Sequence, residues 1–90
     1  NDPYVLILPT ILNDYFKTAI LDIVTHELSH LEQEVDYDRY RSDKKYYTYI
    51  EQTNIDRVYD FIMSNRKIIE NVLDFKIDME YMNLIKNCLK

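Results

Sequence analysis

No glycine occurs in this 90-residue chain, and its two prolines stand at positions 3 and 9. Hairpin turns, bulges and left-handed corners lean on glycine, and loops lean on both residue types, so the punctuation of a strand-rich fold is missing. Helix is the expected state over most of the length. A hydrophobic share of 47% suits a packed globule rather than a disordered tail. The expected fold class is mainly α, with residues 1–90 forming a single small helical domain. The chain opens Asn-Asp-Pro without a Met, which fits a processed product or a piece of a longer chain. Ile, Asn, Lys and Tyr are abundant while alanine occurs once, at Ala19. That bias fits an AT-rich coding genome such as a virus, a phage or a low-GC bacterium.

Residues 4–8 are a short apolar run before Pro9, readable as one N-terminal strand or as an extended lead-in. A long helical pattern follows. Leu12, Phe16, Ala19, Ile23, His26 and His30 fall within an arc of roughly 80° when projected at about 100° per residue. Both histidines therefore continue what reads as a core-facing stripe. Ile20, Val24, Leu28, Leu31 and Val35 cover a second side, and a helix apolar on two sides is expected to be the central one. Residues 36–47 are charged and without a sustained apolar stripe, so they read as an exposed connection.

A second helix is expected over residues 47–63, with Glu51, Ile55, Val58 and Ile62 inward and Asp56 on the far side. Residues 66–75 give a third helix through Ile68, Ile69, Val72 and Leu73. Asp78 caps a fourth, whose stripe is Met79, Met82, Ile85 and Leu89.

The chemistry gathers at His26-Glu27-Leu28-Ser29-His30. Residues four apart stack on one helix face, so the imidazoles of His26 and His30 can converge on one metal ion. Glu27 lies roughly 100° round from His26, where it can hold a water rather than the ion. A catalytic zinc takes three protein ligands and keeps one position open. Glu51 is the candidate third ligand, because a carboxylate on an otherwise Ile/Val face needs a partner and a metal supplies one. Zinc acidifies water, and Glu27 as general base would take the proton and pass it to a leaving amine.

The stretch from Val24 to Leu31, with an acidic residue some twenty positions later on another helix, resembles the active-site helices of gluzincin-type zinc metallopeptidases. The resemblance covers residues 16–63. It implies zinc held by His26, His30 and Glu51, Glu27 as general base, and a peptide or protein substrate. In that family an acidic residue soon after the ligand glutamate orients a histidine; here Asp56 projects the other way, and aligning on Asn54-Ile55-Asp56 instead would put Asn54 in the ligand glutamate's place and imply a weakened or lost metal site. The sheet that aligns substrate in such enzymes has at most residues 4–8 to represent it. The glycine-containing extended motif of the metzincins is ruled out, because the chain has no glycine.

Net charge is −5, with acidic and basic residues interspersed, which argues against nucleic acid as a partner. No apolar run approaches the roughly 18 residues of a membrane span, and no basic, apolar leader opens the chain, so a soluble protein is expected. Cys88 has no second cysteine to pair with. Tyr46, Tyr47 and Tyr49 either bind a substrate or oxyanion or cover a core with their hydroxyls in water. Zinc-dependent peptide hydrolysis is the leading expectation. The alternative is a non-enzymatic structural or interaction domain in which the motif is accidental or degenerate. Substrate and oligomeric state are left open.

Overall fold

Five helices follow one another in the computed structural model, which describes the backbone of residues 3–88 and the side chains of residues 10 and 12–88: α1 (Pro3–Glu32), α2 (Tyr37–Ser42), α3 (Lys44–Ser64), α4 (Arg66–Leu73) and α5 (Met79–Lys86). The mainly α expectation holds, and no strand occurs among the described residues. Residues 4–8 belong to α1 instead of forming a strand. A lone strand would have no partner for its backbone groups, whereas a helix satisfies them within itself. Pro3 is the first helical residue, where a missing N–H costs nothing. No helix among the described residues is long and apolar enough to cross a membrane.

With glycine absent, aspartates set the boundaries. Asp36, Asp43 and Asp78 are the N-caps of α2, α3 and α5, each accepting from a backbone N–H in the first turn. Hydrogen bonds to the Asp43 carboxyl, foremost from the backbone N–H of Tyr46, hold it below the ordinary aspartate range. Asp74 ends α4 in the left-handed region, φ 54° and ψ 51°, the conformation glycine usually supplies at a helix end and aspartate tolerates. This stops α4 two residues before the expected limit and releases Phe75 from it.

The chain after Asp74 turns inward. Phe75 and Ile77 are buried and join Val58 and Ile62 of α3 and Met82 of α5 in the core, with Leu21, Tyr59, Ile69, Met79, Tyr81 and Ile85 packed around them. The inward stripes expected for α3 and α5 therefore stand, apart from Leu89, which lies outside the described residues. That of α4 does not: Ile68, Val72 and Leu73 are exposed, leaving Ile69 as its packing residue. The expected exposed connection at 36–47 contains α2, folded against α3.

The central helix is α3, which touches each of the other four; α1 flanks it. The expected core stripe of α1 does not face inward, for Leu12, Phe16 and Ile23 are each more than half exposed, as are Ile20, Val24, Leu28 and Leu31. Hydrogen bonds turn the polar side inward. Thr18 is fully buried, donating to the Asp14 carbonyl at 2.7 Å and accepting from the backbone N–H of Asp78 at 2.9 Å. Tyr81 donates to Asp22 at 2.8 Å, and the Asn54 amide donates to the His26 carbonyl at 3.1 Å. Burial, then the bond to Asp22, push the Tyr81 hydroxyl well above the ordinary phenol range. Each contact satisfies a polar group of the α4–α5 connection, α5 or α3, and unpaired polar groups are costly to bury. His26 and His30 accordingly sit at the border of the buried face, half-buried, rather than in the core.

Candidate metal centre

Helix α1 carries His26 and His30 one turn apart, and α3 brings Glu51 across to them. The three converge. The Nε2 atoms of His26 and His30 are 3.0 Å apart. His26 Nε2 lies 3.4 Å from Glu51 Oε2, and His30 Nε2 lies 3.3 Å from Glu51 Oε1. Among the described residues these form the group of three His, Cys, Asp or Glu side chains that could hold a metal ion, their ligand atoms all lying within 4.8 Å of one another. Donor atoms about 2.0–2.1 Å from a tetrahedral zinc stand about 3.3 Å from each other. The observed separations come near that requirement, although the two Glu51 distances run to different carboxylate oxygens and the two Nε2 atoms share a hydrogen bond that an ion would replace. Two nitrogens and a carboxylate oxygen are also a donor set that zinc accepts.

The triad is partly open. Side-chain exposure is 24% for His26, 21% for His30 and 13% for Glu51, so solvent reaches each of the three. Glu27 is exposed and lies outside the cluster. Its backbone position next to His26 is set by the motif. Asn54, the alternative third ligand, is fully buried and binds the backbone of the motif helix instead, through its bond to the His26 carbonyl. The side-chain oxygen Oδ1 of Asn54 and the Ser29 hydroxyl are buried without a hydrogen-bond partner. Asp56 is exposed and accepts from Gln52 at 3.0 Å, so it orients neither histidine.

Two further residues shape the centre. Tyr40 of α2 donates a hydrogen bond from its hydroxyl to Glu51 Oε1. Burial, reinforced by this bond, raises the Tyr40 hydroxyl well above the ordinary phenol range, so it stays a donor and keeps the carboxylate oriented. Its ring packs on Tyr47 at 4.8 Å between centroids. Gln33, just past the end of α1, places Oε1 2.8 Å from His30 Nδ1 and donates from Nε2 to the Ile50 carbonyl at 3.4 Å.

Sequence reasoning picked His26, His30 and Glu51, and the structure brings them together. It missed Tyr40, hidden in a charged stretch whose short helix has no buried residue. Asp36 and Asp43 at either end of that stretch were the available signal, since aspartates at such positions mark helix starts. Of the tyrosines singled out instead, Tyr46 accepts from the backbone of Asp36 at 3.0 Å and lies beneath Arg39, while Tyr47 and Tyr49 are exposed. No protein-family model, curated protein or solved structure matches the chain.

Proposed function

We propose that this domain is a zinc-dependent hydrolase of the zincin type, acting on peptide bonds. The observation that carries the reading is the convergence of His26 Nε2, His30 Nε2 and the Glu51 carboxylate at 3.0–3.4 Å from one another, on two helices, with all three side chains partly exposed. Three protein ligands and an open position are the pattern of a catalytic zinc rather than a closed structural one. A bound zinc supplies Lewis-acid chemistry, drawing the pKa of water down to about 7.

The protein's own residues would divide the remaining work. His26, His30 and Glu51 hold the ion, and Tyr40 fixes the Glu51 carboxylate through its hydroxyl. Glu27, exposed beside His26, would accept a proton from the attacking water at its carboxylate and return it to the leaving amine. The exposed apolar residues around Glu27 on α1, Ile23, Leu28 and Leu31 among them, would meet the substrate.

A second reading is favoured by that same apolar surface. In a non-enzymatic structural or interaction domain, the triad would do no more than join α1 to α3. Glu27→Gln separates the two readings. A hydrolase keeps stoichiometric zinc, measured by elemental analysis, and loses peptide cleavage. If cleavage persists in Glu27→Gln, Glu27 is not the base. A wild-type protein that takes up no zinc, or one whose zinc survives His26→Ala and His30→Ala, overturns the metal assignment.

A further inference from the structure

We propose that Gln33 is a positioning residue for the metal centre: it holds His30 in the tautomer that carries its proton on Nδ1, so that the Nε2 lone pair faces the ion. The proposal rests on the metal reading above and extends it to a residue outside the ligand set.

The argument is one of direction. A carboxamide has one accepting end and one donating end. The Nε2 of Gln33 is committed to the Ile50 carbonyl, an atom that can only accept, at 3.4 Å. Its Oε1 must then face His30 Nδ1, at 2.8 Å, and an oxygen there can only accept. His30 must donate from Nδ1, which leaves Nε2 without a proton, so that it accepts from the Nε2–H of His26 at 3.0 Å in the metal-free protein. Turning the amide over would set two oxygens against each other at Ile50. The side chain is half-buried, and its backbone N–H is tied to the His30 carbonyl at 3.2 Å.

This bond opposes another pull. The Glu51 carboxylate lies 3.3 Å from His30 Nε2 and, in the metal-free protein, favours the opposite tautomer, with a proton on Nε2 that would block the ligand position. Gln33 tips the balance toward the binding-ready form. It also spans the two ligand-bearing helices, because the carbonyl it holds belongs to Ile50, the neighbour of Glu51. Partners on the second nitrogen of a ligand histidine commonly change metal affinity by about 10–100-fold.

The test uses Gln33→Met, similar in length and shape but without the amide, and Gln33→Glu, which keeps an acceptor. In the metal-free proteins, at about pH 8 where histidine is ordinarily neutral, nitrogen-15 NMR reads which ring nitrogen of His30 is bare. The expected result is Nε2 bare in wild type and Gln33→Glu, with the proton moved onto Nε2 in Gln33→Met. Zinc affinity, measured by competition with a chromophoric chelator, should fall about 10–100-fold in Gln33→Met and stay within about threefold in Gln33→Glu. A Gln33→Met protein with the wild-type tautomer overturns the proposal, as does equal weakening in both variants. If wild type takes up no zinc, the metal reading fails on that measurement alone, and the tautomer still decides the role of Gln33.

Discussion

Tyr40→Phe removes one hydroxyl from the edge of the centre and leaves the ring against Tyr47 in place. The lost bond ends on a carboxylate, and bonds to charged groups contribute about 1.5–3 kcal/mol. Glu51 is 13% exposed and the histidines beside it are somewhat more so. Water screens the charge to that extent, which points to the lower end, about 1.5 kcal/mol. For 90 residues the unfolding entropy near the midpoint is about 0.19 kcal/mol/K, so the melting temperature should fall by about 8 °C. The assay is thermal unfolding followed by circular dichroism in chelator-treated buffer, so that no metal contributes. The same change in a Glu51→Leu background should cost close to nothing, because the acceptor is already gone. A drop of less than about 2 °C in the wild-type background, or an equal drop in both, refutes the assignment of this bond as a stabilising one.

Met82 is fully buried in the core, and Met82→Ala should lower stability by about 2–5 kcal/mol in urea unfolding; the three ligand residues are not among its core neighbours, so zinc affinity should hold at wild-type level wherever the variant stays folded. The raised Tyr81 hydroxyl carries a pH signature. Because its pKa is higher folded than unfolded, the stability it contributes is complete below the ordinary phenol value of about 10 and is lost as the pH climbs above it. The stability gap between wild type and Tyr81→Phe should therefore be flat from neutral pH to about 9 and narrow beyond about 10. A gap that widens on the alkaline side would contradict the Tyr81–Asp22 bond.

Much of the centre was legible in the chain because it rests on local periodicity. His26 and His30 share a face as soon as the segment is helical, and Glu51 stands out as a carboxylate on an Ile/Val stripe. The orientation of α1 was not legible by the same means. Its apolar residues outnumber its polar ones on two sides, and hydrophobicity alone points Leu12, Phe16 and Ile23 inward. What turns the helix over is a set of distant partners, namely the Asp78 backbone for Thr18, Tyr81 for Asp22 and Asn54 for the His26 carbonyl. These lie 28–60 residues away along the chain, and no window of periodicity reaches that far.

By itself the sequence determined the helical class and the starts of α4 and α5. The absence of glycine removes the alternatives, and aspartate caps act within three residues of where they stand. It also determined which nitrogen and oxygen ligands are available, since that is a matter of residue type. Tertiary structure alone decided that α3 rather than α1 is the central helix, and that Glu51 rather than Asn54 meets the histidines. It decided as well that Tyr40 bonds to Glu51 and Gln33 to His30. The reason is common to all of these: they depend on the rotation of one helix against another. That rotation is set by the sum of distant polar contacts and core packing, a quantity that no local stretch of this chain contains.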